Sequence, residues 1–350
     1  MNKAVIIGAT EYQESSLVPV QVQANMRTLI GLTDKQKSEL RTSMRSRAEI
    51  PLKFEYFGKG AKRFDALFRS DEYRIASLET KIITNNLDEI DSLLSGKSMN
   101  IIDVGCGNGL KALPLVQHFS QKFTPVIYAP VDISKSMLRL AIDNVGRLGS
   151  KVEIIFDRKE SIVDFEKDNL SDIAHLATNR LSRDNLFLFL GHTLGNARDL
   201  SARKNILRHL LESMNEQNDL LLVGVELSLD KATQNVLAQY RSKLMFELVS
   251  TVLDGLGATH SRSWEDDFRV EFDVVENGVV GYFVPRHPVE IRINGRFVTL
   301  AEGNPIRLVT SHKFSSIDEL LNLMKDAGFY KKKAFMDDQK MYAVVACSCQ

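Results

Sequence analysis

The residues equipped for chemistry fall where apolar runs end in tight turns. The stretch N-I-I-D-V-G-C-G-N-G-L-K, 100–111, closes an apolar run with Asp103 and then alternates glycines at Gly105, Gly107 and Gly109. Such spacing predicts a buried strand, a loop whose backbone comes close enough to touch a ligand, and a helix N-terminus. The dinucleotide fingerprint G-x-G-x-x-G fails here, because Leu110 stands where the third glycine belongs. Asp103 would also repel a pyrophosphate, but not a cationic or hydroxyl-bearing ligand. A second run, Y-A-P-V-D-I-S, ends in Asp132 just before a helix start at Ser134, where an acid either accepts from ribose hydroxyls or caps the helix. A third, L-F-L-F-L-G-H-T-L-G-N, 186–196, breaks at Gly191 and ends in Asn196, whose amide offers one acceptor and two donors or simply closes a turn with Gly195.

The elements that must position these residues are legible around them. Strands are expected at 100–104, 125–131, 152–156, 185–190 and 219–225, and helices at 109–119, 134–147 and 199–214. That alternation implies a parallel, doubly wound α/β sheet with ligands at the C-terminal strand ends. Before it, Thr33-Asp34 is a plausible N-cap within a helical stretch from about 20 to 47, and Ser70-Asp71 caps a helix running to about 94. After it comes one long amphipathic helix, about 229–254, then short β-type runs over 268–312 with a hairpin signal at Asn294-Gly295. A helix at 316–327 and two strands at 329–335 and 341–347 finish the chain, while residues 3–8 read as either a strand or an extension. The expected division is 79–225 with 313–350 as a cofactor domain, and 1–78 with the inserted 226–312 as a substrate domain of α+β type.

Composition narrows the function classes. Forty-five basic residues balance 45 acidic ones, so no net charge steers the chain to nucleic acid or an anionic membrane. No apolar run reaches the ~18 residues of a membrane span and no signal-peptide pattern opens the chain. The cysteines Cys106, Cys347 and Cys349 form no disulfide framework, and scattered histidines offer no metal spacing, so a cytoplasmic protein without structural metal is expected.

The acid-x-Gly-x-Gly-x-Gly loop resembles the first motif of the class I, Rossmann-like S-adenosylmethionine (SAM)-dependent methyltransferases, whose sheet ends in an antiparallel hairpin. F-L-G-H-T-L-G-N narrows the resemblance to the histidine-specific N-alpha-methyltransferase family, whose signature reads F-L-G-S-T-[IL]-G-N. K-F-E-Y with Phe64-Asp65, Glu72-Tyr73 with Glu79, R-V-E-F at 269–272, and Ser311, Lys313 and Phe314 match further motifs of that family in order, from about Pro51 to the C-terminus.

The resemblance implies that Tyr56, Asp103, Gly105, Gly107, Lys111, Asp132 and Gly191 form the SAM site. Asp157, Glu160 and Asp164-Phe165 compete to supply the acid on the adenine side. Asn196 would hold the acceptor's amino group, with Tyr73 and Tyr240 on its carboxylate; both tyrosines also suit helix core positions. Phe272, Val309 and Ser311 would line the side-chain pocket. Val309 stands where the family carries the glutamate that grips imidazole, and Phe272 where it carries methionine. A pocket without that carboxylate loses its preference for histidine, although Glu271 or Asp273 could recruit another basic side chain. The expected activity is N-methylation of a free amino acid or related small amine other than histidine. Another small metabolite, a macromolecule, or a non-catalytic role in binding SAM or its product are the alternatives, with oligomeric state open.

Overall fold

The computed structural model describes residues 6–7, 31–94, 99–157, 160–168, 184–214, 219–227, 233–258, 264–293 and 295–349. The chain divides into two compact units, Met1–Glu72 with Asn235–Thr310, and Tyr73–Gln234 with Ser311–Gln350.

The second unit is built on a seven-stranded sheet whose strands we number β1 (Met99–Val104), β2 (Val126–Val131), β3 (Val152–Ile154), β4 (Asp184–Phe189), β5 (Leu220–Glu226), β6 (Phe329–Met336) and β7 (Tyr342–Cys349). Their spatial order is β3-β2-β1-β4-β5-β7-β6. The first five run parallel, and β7 inserts antiparallel between β5 and β6. This is the class I methyltransferase sheet with its terminal hairpin. β1, β2 and β5 are buried along their whole length, which is why they read as continuous apolar runs. Alternate side chains of β4 feed opposite faces: Phe187 and Phe189 meet the helices Leu200–Ser213 and Ile317–Asp326, while Leu186, Leu188 and Leu190 meet Arg74–Asn85 and Leu113–Phe119. Each such side chain contributes about 1.5–3 kcal/mol on burial.

Several helix boundaries differ from the sequence expectation. The glycine loop runs on to Ala112, so the helix expected from 109 starts at Leu113. Ser70 closes the preceding helix by donating to the Leu67 carbonyl, and the next helix begins at Arg74 with no side-chain cap. It stops at Asn86, whose amide donates to the Ile82 carbonyl. The helices expected from 134 and 199 begin at Lys135 and Leu200, capped by Ser134 and Asp199.

In the first unit, Thr33 caps the helix Asp34–Arg47 in a capping box with Gln36. The single helix expected at 229–254 is three: Thr233–Tyr240, Lys243–Val249 and Thr251–Gly255. Ser242 turns extended to cap the second, and buried Glu55 accepts from the Val252 amide at the start of the third. Tertiary partners thus override an amphipathic pattern that reads straight through. Strands Phe268–Asp273 and Gly278–Phe283 pair antiparallel, with Ile306–His312 on the other side of the second. Val289–Ile293 pairs antiparallel with Arg296–Leu300, with Gly295 left-handed just before the second strand, and Ile6–Ile7 adds to that pair. The remainder of the 20–47 stretch before Gly31, Asn294, and the start of the 229–254 stretch lie outside the described residues. Among the described residues no helix is long and apolar enough to cross a membrane.

Candidate functional site

Strand order reverses at β1, between β2 and β4, and the C-terminal edge there is where an open α/β sheet holds a ligand. Three glycines shape that edge. Gly105 and Gly107 take left-handed conformations (φ +68° and +55°) as the chain leaves β1, and the Gly105 and Cys106 amides donate to the Val131 carbonyl on β2. At Gly109 (φ +75°) a side chain would sit 2.9 Å from the Ala141 backbone, so the loop lies flat on the helix Lys135–Gly146.

Buried carboxylates dominate the charge here. Asp132 accepts from the Gly107 amide at 3.1 Å and the Ser134 amide at 2.9 Å, so it braces the loop and caps its helix together. Asp103 accepts from the Tyr128 hydroxyl at 2.7 Å, while its other oxygen is buried with no hydrogen-bond partner. Burial raises both carboxyls to about 6 against the opposing pull of Lys111 and their hydrogen bonds. Glu79 accepts from the Gly191 amide at 2.8 and 3.0 Å and from the Tyr342 hydroxyl at 2.8 Å, and burial raises it also. Lys111, buried itself, acts electrostatically on all three acids and donates to the Leu190 carbonyl. Gly191 (φ +76°) leaves room for that ammonium, which a side chain there would overlap at 2.2 Å.

Three acids against one base leave this edge able to hold a net cation with hydroxyl donors. SAM, with its sulfonium, ammonium and ribose hydroxyls, fits the free Asp103 oxygen and the Asp132 carboxylate. Among the described residues no group of His, Cys, Asp and Glu could hold a metal ion.

The segment after β3 separates the competing acids. Asp157 is exposed and turns its carboxylate to the Glu160 amide. Residues 161–163 instead run beside Asp132 through backbone hydrogen bonds, and Phe165 lies 3.5 Å from where a Gly105 side chain would begin. Asp164, half-buried, therefore sits on the stretch that borders the glycine loop.

Beyond β4, His192 adopts a left-handed conformation and a short 3-10 turn, Thr193–Asn196, follows. The His192 ring is fully buried beneath Gly195, where a side chain would collide with it at 2.2 Å. Its Nδ1 accepts from the Glu226 amide at 2.8 Å, and burial holds its pKa well below the usual imidazole value. It is a structural histidine, not a base. Asn196 is half-buried, and its Oδ1 accepts from the Ser311 hydroxyl at 2.9 Å. Ser311 Oγ accepts from Lys313 at 3.1 Å, and Lys313 is paired with Glu226.

Tyr73 also belongs to this unit, half-buried at the start of its first helix. Tyr56, Tyr240, Phe272 and Val309 belong to the first unit. Tyr56 packs edge-on against Phe64, and Tyr240 is 5% exposed on its helix. Phe272 is half-buried on its strand. Val309 is 2% exposed and would touch any side chain added at Gly281, so it packs closely within this unit. Asp273 closes a turn onto the Val275 and Glu276 amides, and Glu271 is exposed beside Arg269. Glu79, Tyr342, Glu226 and Lys313 had no assigned role in the sequence. Only the matches at Glu79 and Lys313 marked any of them.

The profile of the histidine-specific, SAM-dependent methyltransferase family matches residues 30–349. The N-methyltransferase imqF of Aspergillus flavus is 22% identical over 303 residues, covering 84% of this chain and 79% of that protein. A SAM-dependent methyltransferase from Clostridium acetobutylicum is 14% identical with a TM-score of 0.42, covering 83% of this chain and 98% of that one. The CcbJ methyltransferase of Streptomyces caelestis is 12% identical with a TM-score of 0.41, covering 76% and 89%. The chain belongs to the family of histidine-specific, SAM-dependent methyltransferases and is itself a SAM-dependent methyltransferase.

Proposed function

We propose that this enzyme methylates the amino nitrogen of a free amino acid or related small amine other than histidine. The observation that carries the reading is Asn196, a neutral amide at the end of β4 on the same edge as the glycine loop. A carboxylate there would stabilise the acceptor's ammonium form, which has no lone pair to attack with. An amide oxygen orients the neutral amine without that penalty.

Asp132, Asp103, Lys111 and the backbone of 105–107 would hold SAM, and Asp164 is a better adenine-side acid than Asp157 because its segment borders the loop. Bound there, SAM supplies a methyl group activated by its sulfonium. The protein's part is positioning, which replaces an encounter in solution and can supply most of the rate. His192 takes no proton, since its Nδ1 is already engaged and the ring is sealed from solvent. The proton of the acceptor's ammonium must therefore leave before the amine settles on Asn196.

Exclusion of histidine rests on Val309, an apolar core residue at the position of the family's imidazole-gripping glutamate, and on Asp273, whose carboxylate is committed to its own turn. The same family resemblance puts the acceptor's carboxylate on Tyr73 and Tyr240. Balanced overall charge favours a small acceptor over nucleic acid. Mass spectrometry of enzyme, SAM and the twenty amino acids with common amines tests this directly. A gain of one or more methyl masses on an amine is expected. Methylation of histidine above all others, or of protein or nucleic acid only, would refute it.

A further inference from the structure

Lys313 is completely buried and Ser311 nearly so, at the end of the sheet where β4 and β5 finish rather than in the glycine loop. Both lead to Asn196. The Lys313 ammonium pairs with Glu226 at the end of β5 and donates to Ser311 Oγ at 3.1 Å, and the Ser311 hydroxyl donates to Asn196 Oδ1 at 2.9 Å.

The sense of this chain follows from its donors. An ammonium has protons only to give, so Ser311 Oγ accepts from it and one of the hydroxyl's two lone pairs is taken. The hydroxyl proton is directed onward to the Asn196 oxygen. A carboxamide has nearly the same shape either way round, so packing alone does not choose between its two orientations. A reversed amide would give up the hydroxyl's bond to Oδ1 and bring a second N–H donor to Ser311 Oγ beside the ammonium.

We propose that Lys313, acting through Ser311, fixes the orientation of the Asn196 carboxamide, so that the methyl acceptor always meets the same oxygen lone pair and the same N–H₂ edge. Ser311 and Lys313 are thus positioning residues, and Ser311 does not serve the acceptor's side chain. Glu226 balances the ammonium, so the relay conveys direction without adding net charge beside the amine. It also explains why an ion pair is buried here at all: such pairs contribute little to stability compared with apolar packing, and their best-attested use is to specify one arrangement among several. The Glu226 amide, bound to His192 Nδ1, ties the relay's far end to the turn that carries Asn196.

The inference rests on Asn196 as the site of the acceptor amine, and its test separates the two. In protein labelled with ¹⁵N-asparagine, the Asn196 carboxamide signals are identified by their loss in Asn196→Ala. Ser311→Ala is expected to move or broaden them and Ser311→Thr to restore them; signals unmoved by Ser311→Ala would overturn the relay whatever the acceptor is. With the acceptor found by the mass-spectrometric screen, Ser311→Ala should lower kcat/KM for it on the order of 10- to 100-fold, as expected for a misplaced positioning group. Calorimetric SAM affinity should stay within about twofold, since the two ends share no hydrogen bond. Added to Asn196→Ala, Ser311→Ala should cost less than about twofold more, because nothing is left to orient. An equal loss in both backgrounds overturns the relay. An Asn196→Ala enzyme with wild-type kinetics overturns the amine assignment instead. Lys313→Met together with Glu226→Leu, which leaves no lone buried charge, should reproduce the Ser311→Ala kinetics; wild-type kinetics in that variant would overturn the part assigned to Lys313.

Discussion

The two halves of the ligand edge solve opposite problems. Around Lys111 the acids outnumber the bases: Asp103 and Asp132 at the ends of β1 and β2, with Glu79 against Gly191, are buried beside it, and two of the carboxyls are raised to about 6. At the end of β4 and β5 the charges cancel, Glu226 against Lys313, and what remains is a directed chain of hydrogen bonds ending on an amide. The first half is unfinished without a cation and suits a cofactor that arrives charged. The second half is finished as it stands and suits an acceptor that must arrive neutral.

That contrast breaks most visibly if a buried charge is stranded in the balanced half. Lys313→Met should cost about 3–5 kcal/mol in urea unfolding, and Lys313→Met with Glu226→Leu should recover most of it. If the single change is no worse than the double, the pair is not the closed unit described. In the other half, Asp132→Asn should weaken SAM binding by about 100-fold, because an amide cannot serve the Gly107 and Ser134 amides and ligand hydroxyls together. Calorimetry reads this, and the Asn196 carboxamide signals should not move.

Acidification should divide the halves more gently. Asp103 and Asp132 titrate near 6 in the folded protein against 3.8 ordinarily, so between about pH 4 and 6 the folded state binds more protons than the unfolded one. Their contribution to stability is full below about pH 4 and is lost as the pH rises through 6, with a slope of at most about 1.4 kcal/mol per pH unit for each group. SAM requires the ionised forms, so its affinity should fall up to about tenfold per group for each pH unit below 6, with proton release on binding. Calorimetry in buffers of different ionisation enthalpy measures that release. None at pH 6 would mean the acids are already ionised. The smallest effect is local: Asp164→Asn should weaken SAM about five- to tenfold, the worth of one hydrogen bond, while Asp157→Asn should change it less than about twofold. The reverse order would restore Asp157.

The two halves were also unequally legible. D-V-G-C-G-N-G announces itself because left-handed turns require glycine, and those turns lie within a few residues of each other. The parallel alternation followed from continuous apolar runs separated by helical stretches, and the helices at Ser134 and Asp199 start within one residue of where they were read. The relay joins residues 196, 226, 311 and 313, so no local spacing encodes it. A lysine directly after the strand Ile306–His312 carries no local sign of burial until β5 is laid beside it. The broken helix after 233 failed for the same reason: Ser242 and Ser250 fit an amphipathic stripe, and only the Glu55 carboxylate, far away in sequence, shows where the helix must restart.

The Tyr342 hydroxyl holds Glu79, and Glu79 holds the Gly191 amide beside Lys111. Gly224 leaves the space Glu79 occupies, since a side chain there would overlap its carboxylate at 1.9 Å. The ligand edge is therefore incomplete until β7 has slid between β5 and β6. On the ribosome the glycine loop emerges long before Tyr342, so a nascent chain carries the whole recognition motif with one wall of its site still untranslated. The full set of contacts around Glu79 and Lys111 therefore forms only once β7 has been made.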